Sequence, residues 1–186
     1  MDPRHPDLAD ASRSTLVVVD VQEKLFGVIH DAAHVEAALV KAIRGAAALR
    51  VKTLVTEQYP AGLGPTVAAV REAASGAVRV EKICFSCGDE PRFIETLRES
   101  DRDTVALVGI EAHVCVLQTA FDLLARGYRV HVAADATGSR HDANRRIALR
   151  RMARAGAQIT CVESLLFEWT REAKGDRFKA ISKLVK

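Results

Sequence analysis

Residues 104–127 read TVALVGIEAHVCVLQTAFDLLARG, in which a short apolar run passes into a helical repeat. The run at residues 104–108 is short and β-branched, as expected for a strand that is buried on both faces. From residue 115 to residue 126 the apolar residues recur at helical spacing, and Gly127 is placed to cap the helix. The stretch therefore predicts a strand followed by a helix, with Cys115 at the helix start.

The same alternation continues along the rest of the chain. Further apolar runs predict strands at residues 15–20, 52–56, 77–81, 129–134 and 158–161. Apolar stripes predict helices at residues 34–50, 65–74, 91–100 and 141–155. Strands that alternate with helices favour a three-layer α-β-α fold of the α/β class. We therefore expect a Rossmann-like, six-stranded and mostly parallel sheet with the order 3-2-1-4-5-6.

The length of 186 residues favours a single domain. We expect residues 14–186 to form it and residues 1–13 to be a short mobile lead-in. Apolar residues at helical spacing in residues 171–186 predict an amphipathic helix, which docks either on the body of the domain or on another subunit. The sequence leaves both placements open.

Composition argues against several classes of protein. No apolar run approaches the ~20 residues that span a bilayer, and the first residues lack the apolar core of a signal peptide. Basic residues number 27 against 24 acidic ones and are dispersed, without interleaved aromatic residues, so we expect no nucleic-acid partner. The four cysteines lack a secretory context, which favours a cytoplasmic protein without a disulfide framework.

Three polar residues follow predicted strands that end at the same edge of the sheet. Asp20 ends the first strand, Lys82 follows the third, and Cys115 follows the fourth. A thiol at a helix start favours the thiolate, a neighbouring Lys lowers its pKa further, and an Asp can accept its proton. Each residue also has an ordinary alternative, as a buried Cys, an exposed Lys and a turn-capping Asp.

The chain resembles the isochorismatase-like cysteine hydrolase superfamily. The resemblance lies in LVVVDVQ at residues 16–22, EK at residues 81–82 and GIEAHVCVLQTA at residues 109–120. The segments TEQYPAGLGPT at residues 56–66, KICFSC at residues 82–87 and FKAI at residues 178–181 are similar to the isochorismatase domain-containing subgroup.

The resemblance implies the isochorismatase fold and a catalytic triad of Asp20, Lys82 and Cys115. It also implies a cis peptide bond near Ile110–Glu111, with the backbone amides of Glu111 and Cys115 forming an oxyanion hole. Members of this superfamily act on small molecules, and the resemblance suggests a homo-oligomer.

One departure from the family concerns metal binding. Nicotinamidases of this superfamily hold a metal with an Asp-x-His group after the second strand. Here that position reads Glu57-Gln58-Tyr59, and no His follows until His113. We therefore expect neither a metal site nor another cofactor, and nicotinamide is a poor candidate substrate.

Further residues are candidates for binding the substrate. Gln22 and Gln58 carry amides that suit an amide or carbonyl substrate, and Tyr59 and Phe85 suit an apolar wall. The full set of candidates is Gln22, Phe26, Gln58, Tyr59, Phe85 and His113. A structural role is an alternative for each of them.

These observations predict a metal-independent cysteine hydrolase that cleaves a small amide or related carbonyl compound through a thioester. A catalytically silent binding or scaffold protein with the same fold is the main alternative. A third hypothesis is thiol redox chemistry at the C-x-x-C pair Cys84 and Cys87. The sequence does not identify the substrate.

Overall fold

A computed structural model describes residues 5–186 and contains the predicted sheet. Its strands run in the order β3-β2-β1-β4-β5-β6, and every neighbouring pair is parallel. The predicted order is therefore confirmed, and the sheet is parallel throughout. The strands are β1 (Ser14–Val19), β2 (Lys52–Gln58), β3 (Val78–Lys82), β4 (Thr104–Gly109), β5 (Arg129–Thr137) and β6 (Gln158–Thr160).

Helices connect the strands and cover both faces of the sheet. The α-helices are α1 (Glu23–Phe26), α2 (Ala32–Ala48), α3 (Pro60–Leu63), α4 (Ala68–Ala73), α5 (Pro91–Glu99), α6 (Leu117–Ala125), α7 (Asp142–Arg154), α8 (Val162–Thr170) and α9 (Gly175–Val185). A 3₁₀ turn at Cys87–Asp89 precedes α5, and a π-helical turn at Ala112–Val116 runs directly into α6.

Alternation of side chains along β1 explains why the sheet needs two layers of helices. Leu16 and Val18 belong to the core formed with α2, α8 and α9, whereas Val17 and Val19 belong to the core formed with α5, α6 and α7. All four side chains are fully buried. Successive residues of a strand point to opposite faces, so this unbroken apolar run requires cover on both sides.

Helix boundaries depart from the predictions where polar contacts override the periodicity. The helix predicted from residue 65 begins at Ala68, because Thr66 forms a β-bridge with Gln22 and donates its amide to the Glu57 carboxylate. Helix α8 was not predicted. Its capping residue is Cys161, whose sulfur accepts the Ser164 amide, rather than one of the usual capping residues.

Both ends of the described chain pack on the domain. Ala9 is buried and its amide donates to the Glu168 carboxylate at 2.8 Å, so the chain near position 9 contacts α8, and the mobility of residues 1–13 stays a prediction. Residues 1–4 of that predicted lead-in lie outside the described residues. At the other end, Ile181 of α9 is fully buried in the core with α2 and α8. The C-terminal helix therefore docks on its own domain.

Within residues 5–186, none of the helices combines the length and the apolar character that a membrane-spanning segment requires.

The strand order reverses between β1 and β4, and this reversal creates the crevice beyond their carboxyl ends. The two strands approach closely at Gly109, whose φ is +116°. A Cβ atom at this position would lie 2.2 Å from the Val19 carbonyl oxygen, so only glycine fits. The close approach brings the segment that carries Cys115 against the end of β1.

Candidate active site

Asp20 occupies the first position beyond β1 and is completely buried. Its backbone has φ of +50°, and its amide donates to the Thr56 carbonyl at 3.1 Å. The carboxylate accepts hydrogen bonds from the Thr56 hydroxyl at 2.7 Å and from the Lys82 ammonium at 2.6 Å. Neighbouring strands β2 and β3 therefore hold this carboxylate in one orientation.

Lys82 ends β3, and its ammonium group is buried beside Asp20. The remaining hydrogens are donated to the carbonyls of Cys84 at 3.0 Å and Phe85 at 3.1 Å. Burial is the largest effect and opposes the charge, but Asp20, Cys87 and Cys115 together outweigh it and raise the pKa of Lys82. The side chain is therefore a fixed, fully bonded ammonium ion.

Cys115 lies in the π-helical turn before α6, as the predicted position at the helix start implies. Its thiol is 4% exposed and donates to the Gln58 side-chain oxygen at 3.2 Å. Burial and the Asp20 carboxylate raise the pKa of the Cys115 thiol, and the Lys82 ammonium only partly opposes them. The expected low thiol pKa is therefore corrected: the desolvation and the neighbouring anion outweigh the helix start and the ammonium.

These charges define what the three groups can do. The resting state holds a neutral thiol beside the Asp20 carboxylate, which accepts a hydrogen bond from Lys82. A thiol and a carboxylate in contact allow proton transfer to accompany nucleophilic attack, so that a free thiolate is not needed beforehand.

The segment before Cys115 contains a cis peptide bond and, within residues 5–186, a backbone amide without an acceptor. The Ile110–Glu111 peptide bond is cis, as the family resemblance implied. The Ala112 amide donates to the Gly138 carbonyl at 2.7 Å, whereas the Glu111 amide has no acceptor within residues 5–186. The Glu111 amide is therefore available as a donor to a bound oxyanion.

The Glu111 side chain anchors this segment to Arg140. Its carboxylate accepts the Arg140 backbone amide at 2.9 Å and pairs with the Arg140 guanidinium at 2.8 Å. Burial opposes ionisation of the carboxyl group, but the bonds from Arg140 prevail and lower the pKa of Glu111. Sequence reasoning did not single out Arg140, because 29 residues separate it from its partner.

The two candidate glutamines occupy different positions. Gln22 is buried and donates both amide hydrogens to the backbone, to the carbonyls of Gln58 at 3.0 Å and Gly64 at 2.7 Å. Substrate contact by Gln22 would require the loss of one of these bonds. Gln58 contacts the Cys115 sulfur directly, which places its amide at the reacting atom.

The other candidates differ in exposure. Phe26 is 8% exposed and packs in the core, whereas Tyr59 and Phe85 are 54% and 53% exposed. His113 is partly buried, and its Nδ1 atom lies 3.0 Å from the Ser139 hydroxyl. An apolar wall can therefore draw on Tyr59 and Phe85, while Phe26 supports the crevice from within the core.

The position of the metal-binding group in nicotinamidases holds a carboxylate engaged with the protein. Glu57 accepts the amide and the hydroxyl of Thr66, at 2.7 Å and 2.5 Å. In the part of the chain that the structure describes, no group of three or more His, Cys, Asp or Glu side chains is placed to hold a metal ion.

Cys84 and Cys87 are free thiols in unequal environments. Cys84 is partly exposed, whereas Cys87 is fully buried and points towards the Thr56 hydroxyl at 3.8 Å. Burial, together with the Asp20 carboxylate, raises the pKa of Cys87 to about 11. A thiol that stays protonated in this way is a poor redox nucleophile, which disfavours the redox hypothesis.

Burial of Cys87 predicts a specific dependence of stability on alkaline pH. Between pH 9 and about 11 the unfolded thiol ionises while the buried thiol keeps its proton. The unfolded state then binds fewer protons, so the free energy of unfolding falls as pH rises, by about 1.4 kcal/mol per pH unit from this group. Urea unfolding across this range should show a shallower decline for Cys87→Ala. Equal slopes for the two proteins would contradict the prediction.

A separate hollow of about 550 Å³ lies at the opposite edge of the sheet. Its walls include Thr15, Ile43, Val51, Leu54 and Val78, at or near the amino ends of β1, β2 and β3. Its lining is largely apolar. None of the candidate site residues lines this hollow, so the candidate chemistry lies at the crevice beside Cys115.

Comparison with known proteins agrees with this geometry. Residues 14–164 match the family model described as the isochorismatase domain. The chain belongs to the isochorismatase family. Isochorismatase domain-containing protein 2A of Mus musculus is 40% identical over 174 residues, which cover 93% of this chain and 82% of the mouse protein.

Solved structures of isochorismatase-family and related proteins share the fold. A structure described as MAR1 ribonuclease from Caenorhabditis elegans is 39% identical, with a TM-score of 0.90 and coverage of 95% of this chain and 91% of the nematode chain. YcaC from Escherichia coli, described as an octameric hydrolase of unknown specificity, is 21% identical. Its TM-score is 0.91, with coverage of 98% of this chain and 91% of the YcaC chain.

Proposed function

We propose that this protein is a metal-independent cysteine hydrolase that cleaves the C–N bond of a small amide or a related carbonyl compound. The observation that carries the proposal is the buried Lys82–Asp20 ion pair, whose charges act on the Cys115 thiol beyond the carboxyl ends of β1, β3 and β4. Membership of the isochorismatase family supports hydrolysis as the reaction class.

The first half of the reaction forms a thioester. Asp20 accepts the thiol proton while the Cys115 sulfur attacks the substrate carbonyl carbon. The backbone amides of Glu111 and Cys115 stabilise the negative oxygen of the tetrahedral intermediate. The C–N bond then breaks, and the amine leaves with the proton that Asp20 had accepted.

The second half restores the enzyme. Asp20 accepts a proton from water, whose oxygen attacks the thioester carbonyl carbon. The C–S bond breaks, the sulfur regains a proton from Asp20, and the carboxylic acid departs. Lys82 holds the Asp20 carboxylate in place through both halves, so one carboxylate serves as base and acid in each.

Side chains around the thiol would select the substrate. Gln58 touches the sulfur and would bind the amide or carbonyl of the substrate once it releases the thiol hydrogen. Tyr59 and Phe85 would form an apolar wall, with His113 at the margin of the pocket. A small substrate with one amide and a modest apolar part fits this set of groups.

Ribonuclease activity is the second candidate, because a structure 39% identical to this chain is described as a ribonuclease. Phosphodiester cleavage needs cationic donors for the phosphate. The Lys82 ammonium already donates to Asp20 and to two carbonyls, which leaves it poorly suited to a phosphate. This arrangement favours the amide over RNA.

A homo-oligomer would cover apolar residues that the isolated chain exposes beside the crevice. Ile83 is 73% exposed, and Tyr59 and Phe85 are each more than half exposed. Exposed apolar residues grouped in this way are typical of interaction sites. Light scattering on the purified protein should give a mass at least twice the 20.2 kDa of one chain. A mass of a single chain would contradict this expectation.

A substrate panel tests the proposed function. The purified protein is incubated with small amides, ureides, aryl esters and a single-stranded RNA, and the release of ammonia, amine, acid or shortened RNA is measured. We expect turnover of at least one carbonyl substrate that depends on Cys115, and none of RNA. Cleavage of RNA alone would favour the second candidate, and no turnover of any compound would favour the scaffold alternative.

A further inference from the structure

The loop between β3 and α5 is fastened to the helix that follows Cys115. The hydroxyl of Ser86 donates a short hydrogen bond to the Asp122 carboxylate on α6. About one turn earlier on this helix, the Thr119 hydroxyl accepts the Cys87 backbone amide at 2.9 Å. Ser86, Cys87 and Thr119 are all buried, so these bonds are shielded from water.

The loop also packs closely against the Asp122 side chain of this helix. A Cβ atom at Gly88 would lie 2.7 Å from the Cβ atom of Asp122, so the approach requires glycine. The Gly88 amide donates to the Ser86 hydroxyl at 3.0 Å, and the guanidinium of Arg126, the residue that caps α6, donates to the Gly88 carbonyl at 2.9 Å. The loop and α6 are therefore in close contact along residues 86–88.

The same loop supplies two of the acceptors that hold the Lys82 ammonium. The carbonyls of Cys84 and Phe85 lie 3.0 and 3.1 Å from the Lys82 nitrogen. These bonds fix the direction in which the ammonium faces Asp20 and Cys115. A shift of the loop along α6 would therefore move the positive charge relative to the sulfur.

The loop reaches the carboxylate as well. The Cys87 thiol points at the Thr56 hydroxyl, which in turn donates to Asp20 at 2.7 Å. The Cys87 thiol is the donor in this series of hydrogen bonds, because burial keeps the thiol protonated. The second cysteine of the C-x-x-C motif thus acts in orienting Asp20.

We propose that Thr119 and Asp122 are positioning residues, which hold the 84–88 loop on α6 and thereby set the Lys82–Asp20 pair against Cys115. The inference deepens the proposed function and rests on it for its catalytic meaning. Helix α6 then positions both the nucleophile and the Lys82–Asp20 pair. The helix begins just after Cys115, and its first turns carry Thr119 and Asp122, which bind the loop.

The test measures the reactivity of Cys115 itself. Iodoacetamide alkylation of Cys115 is followed by peptide mass spectrometry from pH 6 to pH 10 in the full-length protein. The variants are Thr119→Val, which removes the acceptor with little change in shape, Thr119→Ser, which restores a hydroxyl, and Asp122→Ala. Asp103→Ala is the matched control, since it also loses an ion pair, with Arg13, but before β4 at the opposite edge of the sheet.

Displacement of the Lys82 ammonium weakens the positive charge that favours the thiolate, while the Thr56 hydroxyl still holds the Asp20 carboxylate. Asp20, Lys82 and Cys87 are the ionisable groups whose charges act on Cys115. We expect Thr119→Val and Asp122→Ala to shift the alkylation profile to higher pH by about one unit, which is about a tenfold slower reaction at pH 8. Thr119→Ser and Asp103→Ala should follow the wild-type profile.

The outcomes separate this inference from the proposed function. Wild-type profiles in both Thr119→Val and Asp122→Ala, with folding verified by circular dichroism, would overturn the positioning role and leave the hydrolase proposal intact. Shifted profiles in a protein that turns over none of the panel would support the positioning role and reject the hydrolase. If one variant fails to fold, the other decides, because each breaks a different bond between the loop and α6.

Discussion

Replacement of Cys115 by alanine is expected to reduce turnover of any substrate found in the panel by at least about 10³-fold. The remaining groups supply no nucleophile. Asp20 and the oxyanion donors assist only the attack by sulfur, which no longer occurs. Alkylation at position 115 should disappear as well. The substitution removes a single heavy atom, the sulfur, so the thermal midpoint should change little.

The matched control is Cys161→Ser. Cys161 is a partly exposed free thiol that caps α8, and serine is a common capping residue, so this variant should keep the wild-type rate and stability. Residual activity in Cys115→Ala that remains after repurification, with the same substrate preference, would reject the thioester mechanism. Loss of activity in both variants would indicate a general effect of cysteine replacement.

Replacement of Lys82 by methionine is expected to destabilise the protein by about 3–5 kcal/mol and to remove activity. The substitution leaves the Asp20 carboxylate buried without its ammonium partner, and both side chains are fully buried in the wild type. Urea unfolding measures the free energy, and the most active substrate of the panel measures turnover.

A double variant separates the two effects. Asp20→Asn combined with Lys82→Met removes both charges, so much of the lost stability should return while the protein stays inactive. Recovery of activity together with stability would show that the pair serves the fold alone. Failure of the double variant to regain stability would contradict the view that an unpaired buried charge causes the loss.

Periodicity predicted the sheet well, because parallel strands buried on both faces need continuous apolar runs. The run at β1 and the run at β4 are recognisable for this reason, and their order follows from the handedness and connectivity rules for α/β folds. The boundaries of α4 and the existence of α8 were less accessible. At α4 a carboxylate from β2 holds Thr66 outside the helix, and at α8 the capping group is a cysteine sulfur.

The candidate site likewise contains residues that the sequence predicted and residues that it missed. Asp20, Lys82 and Cys115 stand at the ends of recognisable strands or just before a recognisable helix, so strand order alone predicts that they meet. Thr56 and Arg140 were missed, since Thr56 is an ordinary strand residue and Arg140 lies in a loop. Their roles depend on which carboxylate each one faces, and local sequence carries no signal of that.

By itself, the sequence determined the α/β class, the strand order, the family and the residues that gather at the crevice, because hydrophobic spacing and residue type act locally. The tertiary structure alone decided how those residues behave. Burial of the thiol beside Asp20 raises its pKa where the helix start had predicted the opposite. Desolvation and the placement of charges depend on neighbours that lie 33–95 residues apart in the chain, and only the packed fold brings them together.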